Sequence, residues 1–136
     1  MKRFNTILSI SILLVLSTGI IMSGCKKKSS TPDAPTFTVT STTVQLQGGG
    51  EGLQFYGKCN NTDVKLTKAT ITDPIGAQTI TYNLNGTYYV KGEIFMLEDA
   101  NSAYTKETGT WSVVFIGNLT ADGSSFSVGA TITIAK

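Results

Sequence analysis

The chain has 136 residues, 15% of them charged and 40% hydrophobic, with a formal charge of +2 and no histidine. The missing histidine excludes Ser-His-Asp and Cys-His nucleophilic catalysis and any His-ligated zinc or copper site. The near-balanced charge, carried by lysine with Arg3 as the single arginine, excludes a nucleic-acid-binding face, which needs clustered basic residues.

The chain opens on a positive segment, Met1-Lys2-Arg3, followed by a mostly apolar stretch from Ile7 to Met22. That stretch has the length of a secretory signal's apolar region and falls short of the about 20 residues a membrane span needs. It stops at Ser23-Gly24-Cys25, where small side chains fit a peptidase cleft and a thiol can take a diacylglyceryl group through a thioether. The run "IMSGC" at 21–25 resembles the lipobox of bacterial lipoproteins, with Met22 where Leu is more usual. The following Lys26-Lys27-Lys28 is similar to the start of mature lipoproteins of the Bacteroidetes group. The resemblance implies a signal peptide over 1–24, an acylated Cys25 and, with Lys26 rather than Asp after the cysteine, the outer membrane. It leaves the leaflet open.

Removing the signal removes Lys2 and Arg3, so the mature chain sets nine lysines against nine acidic residues. Cys25 is taken by the lipid, which leaves Cys59 without a disulfide partner. With no histidine beside it, Cys59 is expected as a small buried apolar side chain. The polar stretch "KKKSSTPDAP" at 26–35, held semi-extended by Pro32 and Pro35, reads as a flexible tether that begins at the lipidated Cys25. One domain follows over 36–136.

This domain is rich in Thr, Val, Ile, Tyr and Phe, punctuated by Gly, and shows no sustained helical period. Strands are expected over 36–46, 53–59, 64–72, 78–84, 87–97, 109–117 and 125–134. "GGGEG" at 48–52 runs into a strand rather than a helix, so it reads as a turn and not a phosphate cradle. Asn85-Gly86 is expected to make a hairpin turn, with a long central strand after it. "GTWSVVFIG" predicts a strand covered on both faces, whereas "FSVGATITI" alternates and has one wet face. The apolar parity breaks twice, between Val39 and Val44 and between Leu66 and Ala69. Each break predicts a bulge or a switch between sheets, because a one-residue slip reverses the buried face. Seven short strands with a late Trp are similar to an immunoglobulin-like or fibronectin-III-like fold: an all-β, seven-stranded antiparallel β-sandwich. No Cys-Trp-Cys arrangement of the antibody type is present.

Two groups of residues are candidate sites. Tyr88, Tyr89, Tyr104 and Trp111 would stack against a sugar or a partner if they shared an exposed face. Glu98, Asp99, Asn101 and Glu107, in the connection "EDANSAYTKE", supply hard oxygen ligands of the kind calcium takes, without EF-hand spacing. The remaining acids sit mostly at strand ends and turns. The expectation is therefore a lipid-anchored, non-catalytic binding module of the cell envelope, with no cofactor. Its partner is the membrane through the lipid, together with an envelope protein reached by a sheet edge or end loops. Carbohydrate binding by an exposed aromatic platform is the alternative.

Overall fold

A computed structural model describes residues 30–97 and 104–136, and the compact unit from Pro32 to Lys136 carries all the described strands. Cys25, Glu98, Asp99 and Asn101 lie outside the described residues. The strands are β1 (Phe37–Gln45), β2 (Glu51–Cys59), β3 (Val64–Thr72), β4 (Thr79–Tyr89), β5 (Ile94–Met96), β6 (Tyr104–Thr105), β7 (Gly109–Leu119) and β8 (Ser125–Ile134). Two antiparallel sheets result. One has the order β1-β2-β5, with β6 also on β2; the other has the order β4-β3-β7-β8. The architecture is the expected all-β sandwich, with eight described strands rather than seven. In immunoglobulin constant domains the fourth strand joins the first, second and fifth. Here it lies beside β3.

The core forms where alternate residues of the two sheets meet. Leu53, Phe55 and Cys59 of β2 face Val64, Leu66, Ala69 and Ile71 of β3 and Trp111, Val113, Phe115 and Leu119 of β7. Val64 and Leu66 have one parity and Ala69 and Ile71 the other, and both pairs are buried because β3 bulges at Thr67. Leu66 pairs with Gly117 and Lys68 with Ile116, so one residue of β3 is extra to β7. The expected break at this place is therefore a bulge.

The expected break in the first strand does not occur. β1 pairs with β2 in one uninterrupted register, from Phe37 opposite Cys59 to Gln45 opposite Glu51. Val44 is half-buried on the face opposite Val39. Leu46, past the strand end, finds its place beside Gly52: a Cβ on Gly52 would lie 2.6 Å from a Leu46 methyl carbon. Glycine on the outer face thus gives an out-of-phase leucine somewhere to pack.

Asn85-Gly86 is not a hairpin. Both residues take left-handed dihedrals (φ 52° and 72°), as a two-residue hairpin turn would, yet β4 continues along β3 on both sides of them. Asn83 pairs with Lys68 and Thr87 with Leu66, so Leu84, Asn85 and Gly86 bulge out opposite Thr67. The chain reverses instead at Val90–Glu93, and β5 lands in the other sheet. The expected long central strand over 87–97 is thereby divided between two edge strands. β7 differs from expectation too, because its outer face is not covered: Ser112 and Val114 are half-buried and Ile116 is exposed.

The strands run the length of the sandwich, so each loop belongs to one of two ends. Pro35, the 60–63 turn, the 90–93 turn and the 120–124 turn share the end where residues 30–35 lead into β1. The 46–50 turn, the 73–78 hairpin tip and the C-terminus share the far end. Gly49 and Gly50 take positive φ in the 46–50 turn, as its glycine run predicts.

Candidate interaction surfaces

The four candidate aromatics do not share a face. Trp111 is 1% exposed, its ring centroid 5.1 Å from that of Phe55 and 5.5 Å from that of Tyr104. Its indole N–H donates to the Glu107 carbonyl at 3.0 Å, which satisfies the one polar atom the burial would otherwise strand. Tyr104 is buried because β6 adds to β2 and turns its ring edge-on to Phe55. Tyr89 points inward and stacks on Phe95 at 4.2 Å, and desolvation raises its phenol pKa. Only Tyr88 lies well out in solvent. Trp111 and Tyr104 are core residues, so the expected platform loses its two central rings.

Of the expected oxygen-ligand set, the described member is Glu107, whose main chain serves Trp111. Among the described residues no three His, Cys, Asp or Glu side chains converge as they would around a metal ion. Three of the described aspartates instead close turns. Asp73 is buried at the base of the β3–β4 hairpin and accepts from the backbone N–H of Ala77 (2.9 Å) and Gln78 (3.1 Å). Asp122 accepts from the backbone and hydroxyl of Ser124, hydrogen bonds that lower its pKa. Asp63 accepts the Lys91 backbone N–H at 2.7 Å and the Tyr88 hydroxyl at 2.8 Å. Those two bonds stabilise the carboxylate and lower the Asp63 pKa, and the same partnership raises that of Tyr88. The Asp63 carbonyl also accepts from the Thr120 hydroxyl, so this one residue ties together three loops at the end of the sandwich that holds Pro35. Cys59 is fully buried as a free thiol, as expected of a cysteine with no histidine beside it.

The surfaces that remain available are sheet edges. β5 and β6 contribute three and two residues to their edge, and β4 is interrupted by its bulge. β1 and β8 are long and regular. The nine residues of β1 and the ten of β8 contain no charge and no proline, and neither strand's register with its partner has an irregularity. Among the described strands no ladder covers the outer side of either, and β8, the longer, has β1 near it across the side of the sandwich. Such an edge presents a row of unpaired backbone donors and acceptors, which proteins ordinarily blunt with lysine, proline or a bulge. Alternation along the sequence predicts β8 but not its place at an edge, because strand order is a non-local property.

No family model matches the chain, and neither does any curated protein or solved structure.

Proposed function

We propose that the protein is a lipid-anchored, non-catalytic interaction module of the cell envelope that takes an extended segment of a partner polypeptide along β8. The observation that carries this reading is the edge of β8, the longest uncharged and regular edge among the described strands. Strand addition there draws affinity from main-chain hydrogen bonds, and alternate side chains of the guest meet the two faces of the sheet. The employment of Asp63, Asp73 and Asp122 as turn clamps supports the absence of catalysis, since their oxygens already serve the fold.

In-cell photocrosslinking tests it. A photoreactive residue at Thr131, on the outer face of β8, should give a discrete adduct with one envelope protein. The same residue at Thr81, on the outer face of β4 at the opposite edge of the sheet, should not. Ser127→Lys, which puts a charge on the β8 edge, should abolish the Thr131 adduct while leaving the fold intact. Equal adducts from both positions, or an adduct indifferent to Ser127→Lys, contradict the β8 site.

A further inference from the structure

The end of the sandwich nearest the tether carries an unusual combination of features. The chain enters it rigidly: Pro35 is buried, the Ala34 carbonyl accepts from the Asn61 amide at 2.9 Å, and Asn61 Oδ1 accepts the Thr36 N–H at 2.8 Å. Beside this point lies the Val90–Glu93 turn. It is held by Glu93 N–H to the Val90 carbonyl (3.0 Å), Gly92 N–H to the Cys59 carbonyl (2.8 Å), Val90 N–H to the Glu93 carboxylate (3.0 Å) and Lys91 N–H to Asp63. Despite this rigidity, the turn and the strand after it hold Val90 and Ile94 in solvent, 44% and 67% exposed. Lysine stands beside each: Lys91 follows Val90, and Lys58 is the register partner of Ile94. The described acids of this end are Asp33, on the entering segment, and Asp63, Glu93 and Asp122, which are engaged in the turns themselves.

From Cys25 to Pro35 is ten residues. Such a chain reaches about 35 Å when fully extended and averages about 18 Å when flexible. The strands carry the domain roughly another 30 Å beyond that end, well past the tether's average span, which favours this end over the far one as the end that meets the lipid. Apolar side chains flanked by lysines whose stems can lie along them match a headgroup–acyl boundary. Lys26, Lys27 and Lys28 add attraction to an anionic leaflet. We infer that the tether end of the domain docks on the lipid surface, with Val90 and Ile94 inserted at the boundary and β8 standing upright from it. This rests on the reading of Cys25 as the lipid anchor.

Depth-dependent fluorescence on the full lipidated protein tests the inference. The protein is reconstituted in phosphatidylethanolamine–phosphatidylglycerol vesicles, with an environment-sensitive dye on Ile94→Cys or, at the far hairpin tip, on Ile75→Cys. Buried Cys59 does not compete for the label. A label on Lys91→Cys repeats the reading with Ile94 intact. The dyes at 94 and 91 should be blue-shifted and several-fold less quenched by aqueous iodide than the dye at 75. Equal quenching at the two ends, in protein whose Cys25 peptide carries acyl chains by mass, overturns the docking and leaves the anchor standing. A Cys25 peptide without acyl mass overturns both.

Discussion

Gly117→Ala is expected to destabilise the domain by about 3 kcal/mol or to prevent its folding, while Gly129→Ala, on the neighbouring strand, should change stability by less than about 0.5 kcal/mol. Gly117 lies opposite the β3 bulge, where the extra residue brings the β3 backbone against β7. A Cβ at 117 would run into the Lys65 carbonyl oxygen and lie 3.1 Å from the Leu66 Cα. These are main-chain atoms of a paired strand, so no rotamer change makes room; either the bulge shifts or the β3–β7 ladder opens. A Cβ at 129 meets nothing nearer than the Val113 carbonyl oxygen at 4.0 Å. Urea unfolding of the two variants beside wild type checks this directly. Equal midpoints for Gly117→Ala and wild type would mean that the bulge is not where the structure has it.

Trp111→Ala should cost about 3–5 kcal/mol, a large part of the 5–15 kcal/mol that holds a domain of this kind together. The indole fills the far end of the core between Phe55 and Tyr104. Trp111→Phe keeps a ring there but leaves the Glu107 carbonyl without its indole donor, and should cost about 1–3 kcal/mol. In wild type the single tryptophan should emit blue-shifted light and resist acrylamide until the domain unfolds. Red-shifted, readily quenched emission from folded protein would put the indole at the surface and return carbohydrate stacking to consideration.

Local signals in this sequence are accurate where one face of a strand is wet and ambiguous elsewhere. Phe126, Val128, Ala130, Ile132 and Ile134 place β8 residue by residue, because one side of the strand packs on the core and the other meets water. The parity switch between Leu66 and Ala69 reveals the bulge at Thr67, since both pairs must reach the same core. The same kind of switch between Val39 and Val44 misleads, because a glycine on the partner strand lets an outward leucine pack.

Asn85-Gly86 misleads for a related reason. Left-handed dihedrals serve a hairpin and a bulge equally, and only the continued pairing of β4 with β3 decides between them. For the candidate site, Tyr88 and Tyr89 are adjacent and so must face opposite ways on a strand, and the pleat alone keeps them off a common platform. The burial of Tyr104 depends on the two-residue β6, too short to leave a periodic pattern. The exposed edge of β8 depends on strand order, which pattern within one strand does not encode.

The envelope setting of β8 and the lipid-facing turn both follow from attachment through Cys25. Intact-protein mass spectrometry on the chain purified from membranes, beside Cys25→Ser, decides whether that attachment exists. The expected species is a mature protein that begins at Cys25 and carries the mass of a diacylglyceryl thioether and an N-acyl chain, with the serine variant unprocessed and unmodified. A chain that retains residues 1–24, or that begins at an unmodified Cys25 and appears in the soluble fraction, would refute lipid attachment and both readings built on it.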